Sequence, residues 1–334
     1  IGVSPVNPNI VLVGGVTLYR TTNGGINWTF IGSPDVHADE QIIRWNNAGT
    51  VLYVGNDGGL SVSTNNGTNW TSTINNFPVT QFYYLSNGVS NTNYLLGGTQ
   101  DNGMYRTTNG GAVWDITAGG DGSGAAIDPF NSQVMYGING VYNNPLPFFR
   151  LKSTNGGSNW SIINNGISTN CGRWFPAIYT DETNPVWLYT NQCNRLFRSQ
   201  DQGGSWAQLS PDFAGEIGSY SISSDGSAIY CSMDMNANGT DKIKVYNGSS
   251  WAERHTGIPD NVYVYRVRVH TNNSLSPQSA YAITRPGLGN PCLYKTNNQG
   301  LSWRSISDAV INNTFVTDIL PDPRDTNKLY LVTS

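Results

Sequence analysis

The stretch Thr21-Thr22-Asn23-Gly24-Gly25-Ile26-Asn27-Trp28 decides the fold, because it recurs. Full copies run Ser63 to Trp70, Thr107 to Trp114, Ser153 to Trp160, Ser199 to Trp206 and Thr296 to Trp303. A shortened copy is Asn247-Gly248-Ser249-Ser250-Trp251, without the leading hydroxyl residue. The shared pattern is Ser/Thr-x-Asn/Asp-x-Gly-x-x-Trp, and the tryptophans at 28, 70, 114, 160, 206, 251 and 303 lie 42 to 52 residues apart. A repeat in that range belongs to a propeller, a solenoid or an array.

The spacing inside the repeat has a mechanical reading. The third position is Asn23, Asn65, Asn109, Asn155, Asp201 or Asn298, each with a side-chain oxygen that can accept turn N–H groups. The glycine two residues on permits positive φ without a Cβ clash. The leading hydroxyl ties the turn from its other side. The tryptophan is expected to start the next strand and to supply a large apolar face. Each copy thus predicts a hairpin turn with a tryptophan peg, and the peg needs a neighbouring sheet to pack against.

The pattern resembles the Asp-box (BNR) repeat of sialidases, sortilin-type receptors, xyloglucanase-type glycoside hydrolases and secreted bacterial propellers. The resemblance covers nearly the whole chain. It implies an all-β propeller of four-stranded antiparallel blades, with the box as the turn between the third and fourth strands. Five of the six full copies carry Asn where the family prefers Asp, which keeps the acceptor and discards the charge. The resemblance specifies fold rather than function, since one fold hosts many activities.

Composition supports a turn-rich all-β chain. Of 334 residues, 38 are Gly, 18 Tyr and 10 Trp, and only 12% are charged, with a net charge of −4. Nothing here forms the basic stripe of a nucleic-acid binder. No apolar run approaches the length of a membrane span, and no signal peptide is visible. The opening Ile1-Gly2-Val3-Ser4-Pro5 reads as the end of a strand, so the chain is expected to begin inside a longer precursor. The four cysteines, Cys171, Cys193, Cys231 and Cys292, show no CxxC spacing, which speaks against zinc.

Taken in order, residues 1–334 read as one propeller domain of seven A-to-D strand sets followed by another A–B pair at Val316–Pro321 and Lys328–Thr333. Eight A–B halves against seven C–D halves fit seven blades, eight, or more in a longer ring. A closed ring is the usual way to remove exposed sheet edges.

Propeller geometry puts the D–A and B–C loops on one face, around the mouth of the channel. Four aspartates fall there: Asp39 in Val36-His37-Ala38-Asp39-Glu40, Asp57 in Gly55-Asn56-Asp57-Gly58-Gly59, Asp101 in Thr99-Gln100-Asp101-Asn102-Gly103, and Asp121 in Gly120-Asp121-Gly122. The loop phrases resemble those of sortilin-like and xyloglucanase-like propellers, where an Asp pair acts as acid and base between two propellers. Three readings compete. Each Asp ties its own glycine-rich turn; the group holds a ligand or Ca²⁺; or two of the four hydrolyse a glycosidic bond, which needs carboxylates about 5 to 9.5 Å apart. A sialidase is disfavoured, because no Arg-Ile-Pro phrase occurs and Glu is scarce.

Arg173, Trp174, Arg195 and Arg285 are candidates for a basic and aromatic counterpart to the acids. Cys171 enters the fifth blade and Cys193 leaves its second strand, so a Cys171–Cys193 disulfide is expected where antiparallel strands meet. The apolar loop Tyr142–Phe149 is a candidate contact with another domain. The reading that best fits is a secreted or cell-surface, non-catalytic propeller that holds a polysaccharide or protein ligand at its mouth or forms part of a surface assembly. The alternative is a xyloglucanase-like glycoside hydrolase. Neither requires an organic cofactor.

Overall fold

The structure is a computed structural model. It describes residues 1–333 apart from 33–34, 73–79, 141–147, 168–175, 235–241, 261, 271–276, 286, 288 and 326. Cys171, Arg173 and Trp174, and most of the Tyr142–Phe149 loop, lie outside the described residues.

The described residues form eight antiparallel sheets, seven of four strands and one of two, each in sequential up-and-down order. These are the seven A-to-D strand sets and the added A–B pair expected from the sequence. The first sheet is Gly2–Val3, Val11–Gly14, Leu18–Thr21 and Thr29–Phe30. The second is Glu40–Trp45, Leu52–Asn56, Gly59–Ser63 and Thr71–Ser72. The eighth is Val316–Pro321 with Leu329–Thr333. The four-stranded sheet repeated in this way is the blade of a β-propeller. The only helix among the described residues is Ala309–Asn312, so none is long and apolar enough to cross a membrane.

The chain divides into two compact units. One is Ile1–Phe82 with Thr99–Asn102, and the other is Tyr83–Gly98 with Gly103–Ser334. In the first, Leu12, Leu18, Val36, Ile43, Leu52 and Val54 form the core. A Cβ on Gly14 would lie 2.6 Å from that of Glu40, so only glycine admits the second sheet there. In the second unit the second strands of three sheets, Leu188–Gln192, Ile229–Met233 and Ala280–Thr284, are buried at every residue. They are covered on both faces, which is why alternation fades in them.

The repeated turn is built as its spacing predicts. In the first copy Thr21 Oγ1 accepts from the Asn23 and Gly25 N–H groups and donates to Asn23 Oδ1, which accepts from the Asn27 N–H at 2.9 Å. The fifth copy repeats this around Asp201, whose carboxylate also takes the Ser205 hydroxyl. The fourth position is left-handed as well as the fifth: Gly24 and Gly25 have φ of 70° and 96°, and Gln202 and Gly203 have 56° and 88°. A non-glycine residue there carries a conformational cost that the paired side-chain bonds offset.

The tryptophan does not start the fourth strand in the full copies. Those strands begin one residue later, as at Thr29 and Ala207. The reason is that the Trp206 and Trp303 N–H groups donate to Asn165 and Thr256, in the loop after the preceding sheet, rather than to the ladder. Trp251, in the shortened copy, does open its strand. The indole N–H groups also reach back one sheet. Trp160 bonds Thr117 Oγ1, Trp206 the Ile163 carbonyl, Trp251 that of Leu209 and Trp303 that of Arg254. Each acceptor lies three residues past the previous tryptophan, so the pegs bolt successive sheets together.

Two structural devices were not read from the sequence. Asp128, Asp181 and Asp322 cap the first-to-second strand turns by accepting two backbone N–H groups each. A tyrosine eight residues on returns to the same carboxylate in two of them, Tyr189 to Asp181 and Tyr330 to Asp322. The recurring Asp with Tyr at +8 was the available signal. The other device is Arg150, fully buried and held by Thr190 Oγ1, Gln192 Oε1 and the carbonyls of Asn191 and Phe148. Burial pushes its pKa down to about 10.

Candidate functional site

Asp39, Asp57 and Asp101 come together in the first unit. One carboxylate oxygen from each lies within 4.8 Å of the other two. Asp39 stands just before the strand Glu40–Trp45, Asp57 in the tight turn between Leu52–Asn56 and Gly59–Ser63, and Asp101 in the loop after Leu95–Thr99. Asp39 and Asp101 are left-handed, with φ of 64° and 63°. That region is costly for a residue with a Cβ, though least so for Asp and Asn. The register shift between Glu40 and Ile42 re-aims the chain directly after Asp39.

Neighbouring side chains fix the three loops. Gln41 Nε2 donates to Asp57 Oδ1 at 3.0 Å, and Asn102 Nδ2 to the Asp57 carbonyl at 3.0 Å. The His37 ring spans the carbonyls of Ala38 and Asp101 at 3.0 and 2.9 Å. Gly58 lets that ring lie close, since a Cβ would meet it at 2.5 Å. Asp57 is exposed, and Asp39 and Asp101 are half-buried. Glu40 adds a further acid beside Asp39. Burial holds its carboxyl above the usual range, and the charge of Asp39 adds to the rise.

Such a group is electrostatically uphill by itself. Two carboxylate charges within 4.8 Å of each other repel by roughly 3.5 kcal/mol at an effective dielectric of about 20, less where water reaches them. Three converging oxygens with carbonyls nearby are the donor set of a hard cation such as Ca²⁺. Oxygens this close lie nearer to the spacing of about 5 to 5.5 Å of a retaining glycosidase than to the roughly 6.5 to 9.5 Å that leaves room for an attacking water in an inverting one.

The remaining candidates are placed differently. Asp121 belongs to the second unit, 7% exposed at the start of the wholly buried strand Asp121–Ile127. Arg195 is taken up by Asp212 in a two-pronged bridge at 2.8 and 2.7 Å on the surface. Arg285 lies between the rings of Tyr265 and Phe315. Cys193 is disulfide-bonded, and Cys231 and Cys292 are free and buried.

Among solved structures the chain is similar to a crystal structure of an ancestral GH74 enzyme, with a TM-score of 0.56, 19% identity and 83% of this chain covered. The chain spans 39% of the length of that protein. Two looser likenesses are the GH74 xyloglucanase from Xanthomonas campestris (TM-score 0.33, 14% identity, 98% of this chain and 67% of that one) and YCF48 bound to D1 peptide (0.47, 12%, 77% and 92%). At these identities the first likeness speaks for the fold alone, and the class it defines with the sheets above is the β-propeller. No protein-family model matches the chain, and no curated protein matches it either.

Proposed function

We propose that this chain is a non-catalytic binding propeller, secreted or displayed at a cell surface, whose acidic loops hold a hard cation and, through it, a polysaccharide or protein ligand. The observation that carries the reading is the convergence of the Asp39, Asp57 and Asp101 carboxylates within 4.8 Å. Three acids drawn that close are stabilised by a dication, and a bound dication keeps open positions for hydroxyl or carboxylate oxygens of a ligand. On this reading the repeated turn is an Asp-box, and the chain is one propeller domain of a longer secreted protein of the sortilin-like or xyloglucanase-like kind. Asn in most boxes suits a structural repeat, because the turn needs an acceptor and no charge.

Calorimetric titration with CaCl₂ tests this. The wild type binds, and Asp57→Asn, a change at an exposed loop tip, weakens binding by about tenfold or more. A glycan and protein array read with and without EDTA then identifies the ligand. No Ca²⁺ binding by folded wild-type protein, or release of new reducing ends from β-glucan or xyloglucan that disappears in Asp101→Asn, overturns the proposal.

A further inference from the structure

The seventh sheet and the segment that follows it line an open cavity of about 130 Å³ in the second unit, apart from the acidic loops. Its walls include Arg285, Cys292, Asn312, Thr314, Phe315 and Val316. A cavity of about 150 Å³ accommodates benzene, so this one matches a single small ring.

Its polar groups are few and specific. The Arg285 guanidinium lies 4.2 Å from the centre of the Tyr265 ring and 4.9 Å from that of Phe315. The Tyr265 hydroxyl also pairs with the guanidinium, and a guanidinium carries five N–H donors, enough to grip a carboxylate with two parallel bonds as well. Tyr265 is itself fixed by donating to the Val316 carbonyl at 2.7 Å. Asn312 Oδ1 is buried with no hydrogen-bond partner among the described residues. Such an atom costs free energy unless a ligand supplies a donor. The rest of the wall is apolar or neutral. Burial holds the Cys292 thiol above its usual range, and the thiol donates to the Ile311 carbonyl at 3.5 Å.

We infer that this cavity binds a compact aryl carboxylate bearing a hydroxyl. The carboxylate pairs with Arg285, the ring fills the space against Cys292 and Val316, and the hydroxyl donates to Asn312 Oδ1. The inference does not depend on the acidic loops. A phosphate would satisfy Arg285 and leave the apolar space empty.

The probe is 3-hydroxybenzoate, followed by amide chemical shifts, with phenol as the uncharged control. Reaction of Cys292 with methyl methanethiosulfonate, read by mass spectrometry, gives a second readout, and the free, buried Cys231 serves as internal reference. Hydroxybenzoate shifts amides within residues 284–316 and slows modification of Cys292 but not of Cys231. Phenol, Arg285→Ala and Arg285→Lys each bind about tenfold more weakly or worse, because charge, fork or both are lost. If Arg285→Ala is misfolded by circular dichroism, Arg285→Lys and wild-type thiol protection decide. Equal binding of phenol and hydroxybenzoate, affinity unchanged in the variants, or no protection of Cys292 overturns the assignment.

Discussion

Replacing Trp206 by phenylalanine removes the indole N–H that reaches the Ile163 carbonyl at 2.6 Å. Trp206 is 5% exposed and packs with Tyr136, Ile138, Phe148 and Leu188. The lost bond, with a buried carbonyl left short of a partner, costs about 1–1.5 kcal/mol. The smaller ring forgoes roughly 1 kcal/mol of burial and leaves a partial void. The sum is about 2–3 kcal/mol. The same substitution at Trp28, which is 44% exposed, costs less than about 0.5 kcal/mol. Repeat proteins can unfold in parts, so urea unfolding by circular dichroism is paired with native-state hydrogen exchange at Ile167 and Leu209. Protection there falls in Trp206→Phe and holds in Trp28→Phe. Equal costs at the two positions, or a Trp206→Phe protein within about 0.5 kcal/mol of wild type, would refute the idea that each peg bolts its sheet to the one before.

Arg150→Met keeps the length of the side chain and leaves the acceptors around it unsatisfied, so it destabilises by about 2–4 kcal/mol in urea melts; a neutral result would mean that the buried charge costs as much as its bonds return. The Ser205 N–H, with the Ser199 and Ser205 hydroxyls, holds the Asp201 carboxyl below its ordinary value of 3.8. A lowered native value means that this turn's stability is present above pH 3.8 and is lost as the pH falls through the native value. Asp201→Asn therefore gives a shallower acid-unfolding limb than wild type, and superimposable limbs would contradict this. Gly166 has φ of 94°, and a Cβ on it would strike the Trp206 carbonyl. Gly166→Ala accordingly lowers stability by about 2 kcal/mol or more, with the loss concentrated in hydrogen exchange between the fourth and fifth sheets.

Much of the fold was legible in the chain because its signals are local. The turn closes through bonds between residues two and four apart, as Thr21, Asn23, Gly25 and Asn27 show. Residue types within one octet are enough to specify it, and a short strand either side follows from alternation. The tryptophan's role as a peg was legible too. Its position just ahead of the strand was not, because its N–H is claimed by a loop some forty residues earlier, as Trp206 is by Asn165.

The candidate site obeyed a different logic. Asp39, Asp57 and Asp101 are far apart in sequence, and their convergence follows from the packing of loops in the first unit. Asp121 sits in an equally glycine-rich loop phrase, yet it starts a buried strand of the second unit. Arg195 looked available until the fold set Asp212 opposite it. The repeat, the hairpins and the all-β class are thus properties of the sequence, since each is settled by hydrogen bonds within a few residues. Which acids meet, which arginine is already paired and where a cavity remains were decided by tertiary structure, because each depends on distances between chain segments that no local pattern encodes.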